Sequence, residues 1–282
     1  MSTDFQWFPA PGKLNLLLHV LGRRADGYHL LQTVFRLIDC ADRVGVRVRG
    51  DGKVVRAGET AGVAEADDLC VRAARKLKEH AGTPRGVELA LDKILPIGGG
   101  LGGGSSDAAT VLIVLNRLWD LGLGRDELLE LALELGADVP AFVFGTNTLG
   151  EGIGERLTAL SLHPAWYLVL IPQVSVSTQE IFSHPALTRN GKALKIPPFL
   201  LWQGRNDLEA VACGLYPAVA EHLVWLRRYG DARMTGSGAC VFAEYASESA
   251  AQAVYEQLPP EMRGFVARGL EHHPLADWIP AR

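Results

Sequence analysis

Six of the seven residues from Gly98 to Gly104 are glycine, with only Leu101 between them. No other stretch constrains the fold so strongly. Glycine has no side chain, so successive amides can turn toward one point and a ligand can approach the backbone closely. The loop follows an alternating apolar segment, Val87, Leu89 and Leu91, and precedes the hydroxyl pair Ser105-Ser106. An Ala-rich apolar run then predicts a helix from Ser106 to Leu121, stopped by Gly122. Strand, glycine loop and helix start in succession make a phosphate cradle, because the first helical amides lack partners and that end of the dipole is positive. A mere flexible turn would lose the backbone entropy of six glycines with no compensating contact.

The cradle does not match the commonest nucleotide loops. Gly98, Gly100 and Gly103 satisfy G-x-G-x-x-G, but near residue 100 rather than after a first strand. The acid twenty residues on, Asp120, falls inside the expected helix. A P-loop needs lysine before its Ser/Thr, and Ser105 stands there. The protein-kinase triplets H-R-D and D-F-G are absent.

Around the loop, strands are expected at 13–21, 30–39 and 44–48, with a helix from Asp67/Asp68 to Gly82 and another at 126–135 ending in a loop, Gly136-Ala137-Asp138-Val139-Pro140. The second half reads as strands at 166–171, 239–244 and 265–270. Helices are expected near 178–182 and at 207–214, 217–229 and 248–258, with a Pro/Gly/Lys-rich surface loop at 185–198. Strands and helices mix without a repeating βα unit, so the class is α+β. The texture changes around 150–165, predicting a boundary between two lobes, 1–160 and 161–282.

Bulk properties narrow the function. The chain has 28 Lys+Arg against 32 Asp+Glu, a net charge of −4 with no basic tail, which argues against a nucleic-acid binder. The four cysteines, 40, 70, 213 and 240, have neither zinc-site spacing nor the density of a disulfide framework, so free thiols in a reducing compartment are expected. No segment reads as a membrane span or signal peptide. The expectation is a cytoplasmic protein with no membrane partner, monomeric or a weak homodimer.

Three glycine-bearing segments occur in order: Pro11-Gly12-Lys13-Leu14-Asn15, Pro96-Ile97-Gly98-Gly99-Gly100-Leu101-Gly102-Gly103-Gly104-Ser105-Ser106, and Thr235-Gly236-Ser237-Gly238-Ala239-Cys240. Together they resemble the motifs of the GHMP kinases (galactokinase, homoserine, mevalonate and phosphomevalonate kinases). Arg24-Ala-Asp-Gly-Tyr-His29 with Leu31-Gln32-Thr33, Gly136–Pro140 and Gly150-Glu-Gly-Ile-Gly-Glu155 resemble one branch of it. That branch phosphorylates the 2-hydroxyl of a cytidine diphosphate sugar alcohol in non-mevalonate isoprenoid synthesis. The resemblance spans roughly residues 9–270.

It implies a two-lobed α+β fold, an N-terminal lobe like the second domain of ribosomal S5 and a ferredoxin-like C-terminal lobe, with the site between them. ATP would be the co-substrate, its phosphates bound by Pro96–Ser106, with Mg²⁺ held mainly by phosphates and touched by Ser105 or Ser106. Asp138 would be the general base and Lys13 its cationic neighbour, favouring the ionised forms. Asn15, on the same strand face as Lys13, would bind substrate hydroxyls. Tyr28 and Phe182 would stack on the cytosine, and His29 would hydrogen-bond it. From sequence alone, a loop Asp before Val-Pro reads as a turn or cap residue, Phe182 as helix packing, and Asn15 as a satisfied polar group. A non-catalytic nucleotide- or RNA-binding module, or a homoserine or mevalonate kinase, are the competing functions.

Overall fold

The computed structural model describes residues 4–58, 64–194 and 205–280. Its backbone is organised by two long antiparallel strands, β1 (Gln6–Arg23) and β2 (His29–Arg49). They are joined by a tight turn in which Arg24 N–H donates to Tyr28 O at 2.7 Å. The second edge of β2 is shared. Residues 43–49 pair with β4 (Gly86–Asp92) and residues 31–35 with β5 (Thr148–Gly152). β3 (Val54–Arg56) joins β4 in parallel and β6 (Arg156–Ala159) joins β5, giving a six-stranded sheet.

Two separate strands were expected where β2 is continuous. The break in apolar pattern at 39–43 spans a register shift opposite Pro11 and Gly12 and includes Asp42, which is fully buried inside the strand. Its carboxylate accepts from the amides of Ile94 (2.6 Å) and Leu95 (2.7 Å) and pairs with Lys93. A charged residue thus sits mid-strand because it holds the chain that leaves β4 for the glycine loop.

Four helices cover one face of this sheet. α1 (Leu69–Ala81) starts where the Asp68 side chain accepts from Cys70 N–H and ends at Gly82, as its cap residues predict. α2 (Gly103–Leu118) is the central helix, buried continuously from Ser106 to Asn116, which accounts for its all-round apolar sequence. It begins three residues earlier than expected and stops at Leu118, so Asp120 lies beyond it at φ 56°. α3 (Arg125–Leu135) and α4 (Val139–Phe144) complete the layer. The expected 136–140 loop is therefore partly helix, with Asp138 at the N-cap position.

The second half adds β7 (Trp166–Leu170), α5 (Thr178–Ser183), α6 (Glu209–Leu215), α7 (Pro217–Leu226), β8 (Arg233–Met234), β9 (Val241–Tyr245), α8 (Glu248–Tyr255) and β10 (Gly264–Arg268). Its sheet is antiparallel in the order β10-β7-β9-β8. The far end of the expected 185–198 loop lies outside the described residues. One apolar core fills the space between the first sheet and α1–α4, and another lies in the second half and takes in Leu18 and Val20 of β1. A third, containing Leu14, Ile38, Tyr167, Val169 and Phe242, joins the two sheets. All four cysteines are free, with Cys70 and Cys240 buried.

The halves are also tied by backbone hydrogen bonds. Leu18 N–H donates to Arg205 O and Asp207 N–H to Leu18 O, at 2.9 and 2.8 Å. Ala239 and Cys240 N–H donate to Gly98 and Gly99 O, at 3.3 and 3.1 Å. The glycine loop is therefore anchored to the start of β9.

Candidate active site

A cleft of about 930 Å³ runs across the junction of the two sheets. Every residue given a catalytic or binding role from the sequence lines it except Ser106. Residues more than 200 positions apart, such as Asn15 and Ser237, meet here because β1, the glycine loop and the turn before β9 are packed together.

The glycine loop serves two purposes. At Gly100 the backbone has φ +76°, and a Cβ would fall inside the radius of Thr235 O and 3.0 Å from Gly238 O. That glycine lets the loop lie flat on the turn from the second half. At Gly102, φ +72°, a Cβ would press on Phe142 (2.9 Å) and on Lys13 Cε (3.0 Å). This glycine lets the loop reach Lys13, whose own N–H donates to Leu101 O at 2.9 Å. The amides of Gly103, Gly104 and Ser105, the first three of α2, have no backbone acceptor within the helix.

Ser106 departs from expectation. Its amide donates to Gly102 O at 2.8 Å and its hydroxyl is fully buried without a partner. It belongs to the helix interior, and Ser105 is the hydroxyl that faces the cleft. Pro96 lines the cleft but, lacking an N–H, contributes its carbonyl to a turn with Gly99 N–H (3.3 Å). Ile97 is 73% exposed there.

Lys13 is 2% exposed, on β1, and its Nζ lies 3.3 Å from Asp138 Oδ2. The same Nζ donates to Asn15 Oδ1 at 2.6 Å, and it lies 5.6 Å from the centre of the Phe35 ring. Asp138 occupies the N-cap position of α4, yet its side chain makes no capping bond. Its carboxylate instead turns toward Lys13 and stays 41% exposed to the cleft. The cap explanation of this residue therefore fails on geometry. Asn15 has both polar groups engaged: Oδ1 by Lys13, and Nδ2 donating to Thr33 Oγ1 at 2.8 Å, which in turn donates to Leu17 O at 2.7 Å. It orients Lys13 and keeps one N–H beyond these bonds.

At the other end, Tyr28 projects from the β1–β2 turn with 59% exposure. Phe182, on α5, lies with its ring centre 4.9 Å from that of His29, the planes at 33°. The expected facing pair across a base is therefore altered, because Phe182 covers His29 rather than standing free opposite Tyr28. Burial first, then the positive charges of Arg189 and Arg23, push the His29 pKa below the ordinary histidine value.

Three other features had no role assigned from the sequence. Beneath the loop, Lys93 bridges two buried carboxylates, Asp42 and Asp107, the latter at 2.6 Å. Burial, opposed by Lys93 and aided by Asp42 and Asp68, pushes Asp107 up to about 7. Thr235 Oγ1 accepts from Asn15 N–H at 3.0 Å and lies 3.3 Å from Gly100 O, joining β1 to the loop. Arg189 donates to His29 at 3.1 Å. Scattered charges of this kind carry no spacing signal. Only the fold that brings them within reach reveals them.

An amide cradle, a carboxylate held by a buried cation, and an aromatic recess in one cleft between α+β lobes define a small-molecule kinase of the GHMP type. The models of the GHMP kinases N terminal domain and of the GHMP kinases C terminal match residues 68–146 and 186–263. A 4-diphosphocytidyl-2-C-methyl-D-erythritol kinase of Thiobacillus denitrificans is 60% identical, covering 98% of this chain and 99% of its own. A crystal structure of a 4-(cytidine 5'-diphospho)-2C-methyl-D-erythritol kinase superposes with a TM-score of 0.81 at 34% identity, covering 94% and 99%. A homoserine kinase structure from Cytophaga hutchinsonii, at 17% identity, TM-score 0.71 and coverage of 97% and 96%, shares the fold. The chain belongs to the 4-diphosphocytidyl-2-C-methyl-D-erythritol kinase family, within the GHMP kinases.

Proposed function

We propose that this chain transfers the γ-phosphoryl group of ATP to the 2-hydroxyl of 4-diphosphocytidyl-2-C-methyl-D-erythritol, giving the 2-phosphate and ADP. The observation that carries the reading is the Asp138 carboxylate, 3.3 Å from Lys13 Nζ and open to the same cleft as the glycine loop. Phosphoryl transfer depends on positioning and on neutralising charge. The free amides at the start of α2 would hold the phosphates. Asp138 would take the proton of the attacking hydroxyl, and Lys13, fixed by Asn15, would hold that carboxylate in place. Adenine would lie at the end of the cleft lined by Leu69, Cys70 and Leu91. The cytosine would enter between Tyr28 and the His29–Phe182 pair, with Gly236 and Ser237 closing on the phosphates.

Among the described residues, no group of three or more His, Cys, Asp or Glu is placed to hold a metal. A magnesium ion fits as one carried by the nucleotide, with the Ser105 hydroxyl as its protein ligand. It would neutralise phosphate charge. No helix among the described residues is long and apolar enough to cross a membrane. With a net charge of −4, the reading is a cytoplasmic monomer or weak homodimer acting without nucleic acid. The division into a nucleotide-side part, 1–160, and a substrate-side part, 161–282, belongs to the same proposal.

The test is a coupled ADP-release assay with the cytidyl substrate against homoserine, mevalonate and other alcohols. Asp138→Asn should lose roughly 10²–10⁴ in kcat while ATP still binds. Unchanged turnover in that variant refutes Asp138 as the base. Equal use of homoserine or mevalonate refutes the substrate.

A further inference from the structure

We propose that Arg189 is a specificity-determining positioning residue: its hydrogen bond to His29 Nε2 fixes the imidazole tautomer, so that the cleft reads cytosine and rejects uracil. The inference rests on the function proposed above.

The geometry leaves little choice of proton position. Arg189 Nε lies 3.1 Å from His29 Nε2. A guanidinium has donors and no acceptor, so Nε2 must offer its lone pair. The ring is then neutral with its hydrogen on Nδ1. A protonated ring would carry a second N–H pointed at the Arg189 N–H. Arg189 itself is not free to swing away. Its Nη1 donates to Leu187 O at 3.2 Å, and its Nη2 donates to Phe182 O at 2.9 Å and to His184 O at 2.8 Å. Three carbonyls of the segment that carries Phe182 thus aim Nε at one edge of His29.

The rest of the ring's surroundings dictate what it can present. One face lies near Phe182 at 4.9 Å. The Nε2 edge is taken by Arg189. Nδ1 has no hydrogen-bond partner among the described residues, and His29 lines the cleft beside Tyr28. The ring therefore offers the ligand a single polar group, an Nδ1–H donor.

Cytosine and uracil differ at the atoms such a donor would meet. Cytosine N3 is an acceptor, whereas uracil N3 carries a hydrogen. A fixed donor pairs with the first and opposes the second. The other tautomer would reverse the preference, since a bare Nδ1 would accept from uracil N3–H. A site built to hydrogen-bond one group discriminates strongly against an analogue that leaves it unpaired. Without Arg189 the ring exchanges between tautomers and the discrimination weakens.

Imidazole ¹⁵N NMR of the ¹⁵N-labelled protein reads the tautomer directly, with His29→Asn assigning the signal. The expected result is a His29 ring protonated at Nδ1 and bare at Nε2. Arg189→Met should move the ring toward protonation at Nε2. In kinetics, Arg189→Met should lower the cytidine-over-uridine preference in kcat/KM by about tenfold or more, chiefly through KM for the cytidyl substrate. Arg189→Lys, which keeps a donor, should retain the Nδ1–H tautomer and most of the preference. A wild-type ring protonated at Nε2 overturns the proposal and needs no variant. So does a folded Arg189→Met protein with unchanged tautomer or unchanged base preference, or an Arg189→Lys protein that loses both. If wild type phosphorylates no cytidyl substrate, the proposed function falls. The NMR result still decides whether Arg189 sets the ring.

Discussion

Substituting Gly100 by alanine separates the two purposes of the glycine loop. Gly100 sits at φ +76°, where an alanine costs about 1–2 kcal/mol. Its Cβ would also overlap Thr235 O, with Gly238 O at 3.0 Å and Thr235 C at 3.1 Å. These are backbone atoms and cannot rotate aside, so the loop or the turn must move, at a further ~1–3 kcal/mol. Gly122 supplies the control. It has φ +69°, and nothing lies within 4 Å of its would-be Cβ, so Gly122→Ala carries only the conformational cost. At this size 1 kcal/mol is roughly 2–4 °C in Tm. Thermal unfolding followed by circular dichroism should thus show a drop of a few degrees for Gly122→Ala and a clearly larger one for Gly100→Ala. The kinetic difference should be sharper. Displacing the loop misaims the amides at the start of α2, so KM for ATP should rise about tenfold or more in Gly100→Ala and stay near wild type in Gly122→Ala. If the two variants match in Tm and in KM, the loop does not depend on its contact with Thr235, and the reasoning is wrong.

Two further expectations follow from buried groups. Burial pushes the His273 pKa down to about 4, and its Nε2 has no partner, so the folded protein resists protonating it while the unfolded chain does not. Its contribution is whole above the unfolded value of about 6.5 and is lost as pH falls toward 4, close to 2 kcal/mol by pH 5. His273→Asn, whose Oδ1 can still accept from Leu275 N–H, should shrink the difference in urea stability between pH 7 and pH 5 by that amount; an unaltered difference contradicts it. Ser106→Ala removes a buried hydroxyl without a partner and should leave kinase activity intact with stability unchanged or raised by up to ~1 kcal/mol. Ser105→Ala should instead raise KM for ATP several-fold, and the reverse pattern would put the wrong serine in the cleft.

The sequence by itself determined the elements with strong local signals. Six glycines before a hydroxyl pair announced the cradle, Asp68 and Gly82 bounded α1, and Lys13 and Asn15 shared a face through the period of a strand. Motif order was enough to place the family. Local pattern misjudged positions whose state depends on distant partners. The strand expected at 30–39 was ended short of Asp42, but Lys93 and two amides from beyond β4 satisfy that carboxylate inside a continuous β2. Ser105 and Ser106 are indistinguishable in composition, and only the rotation of α2 turns one to the cleft and the other into the core. Asp138 had the sequence of a cap, and the capping bond is absent because Lys13 from β1 draws the carboxylate away. Arg189 had no signal at all. Its meaning lies in one hydrogen bond to a ring 160 residues earlier, formed because the fold sets α5 against the start of β2. Propensity and periodicity act over a few residues. Hydrogen bonds and burial act across whatever the packed chain brings within about 3 Å, and that decided the chemistry of the cleft.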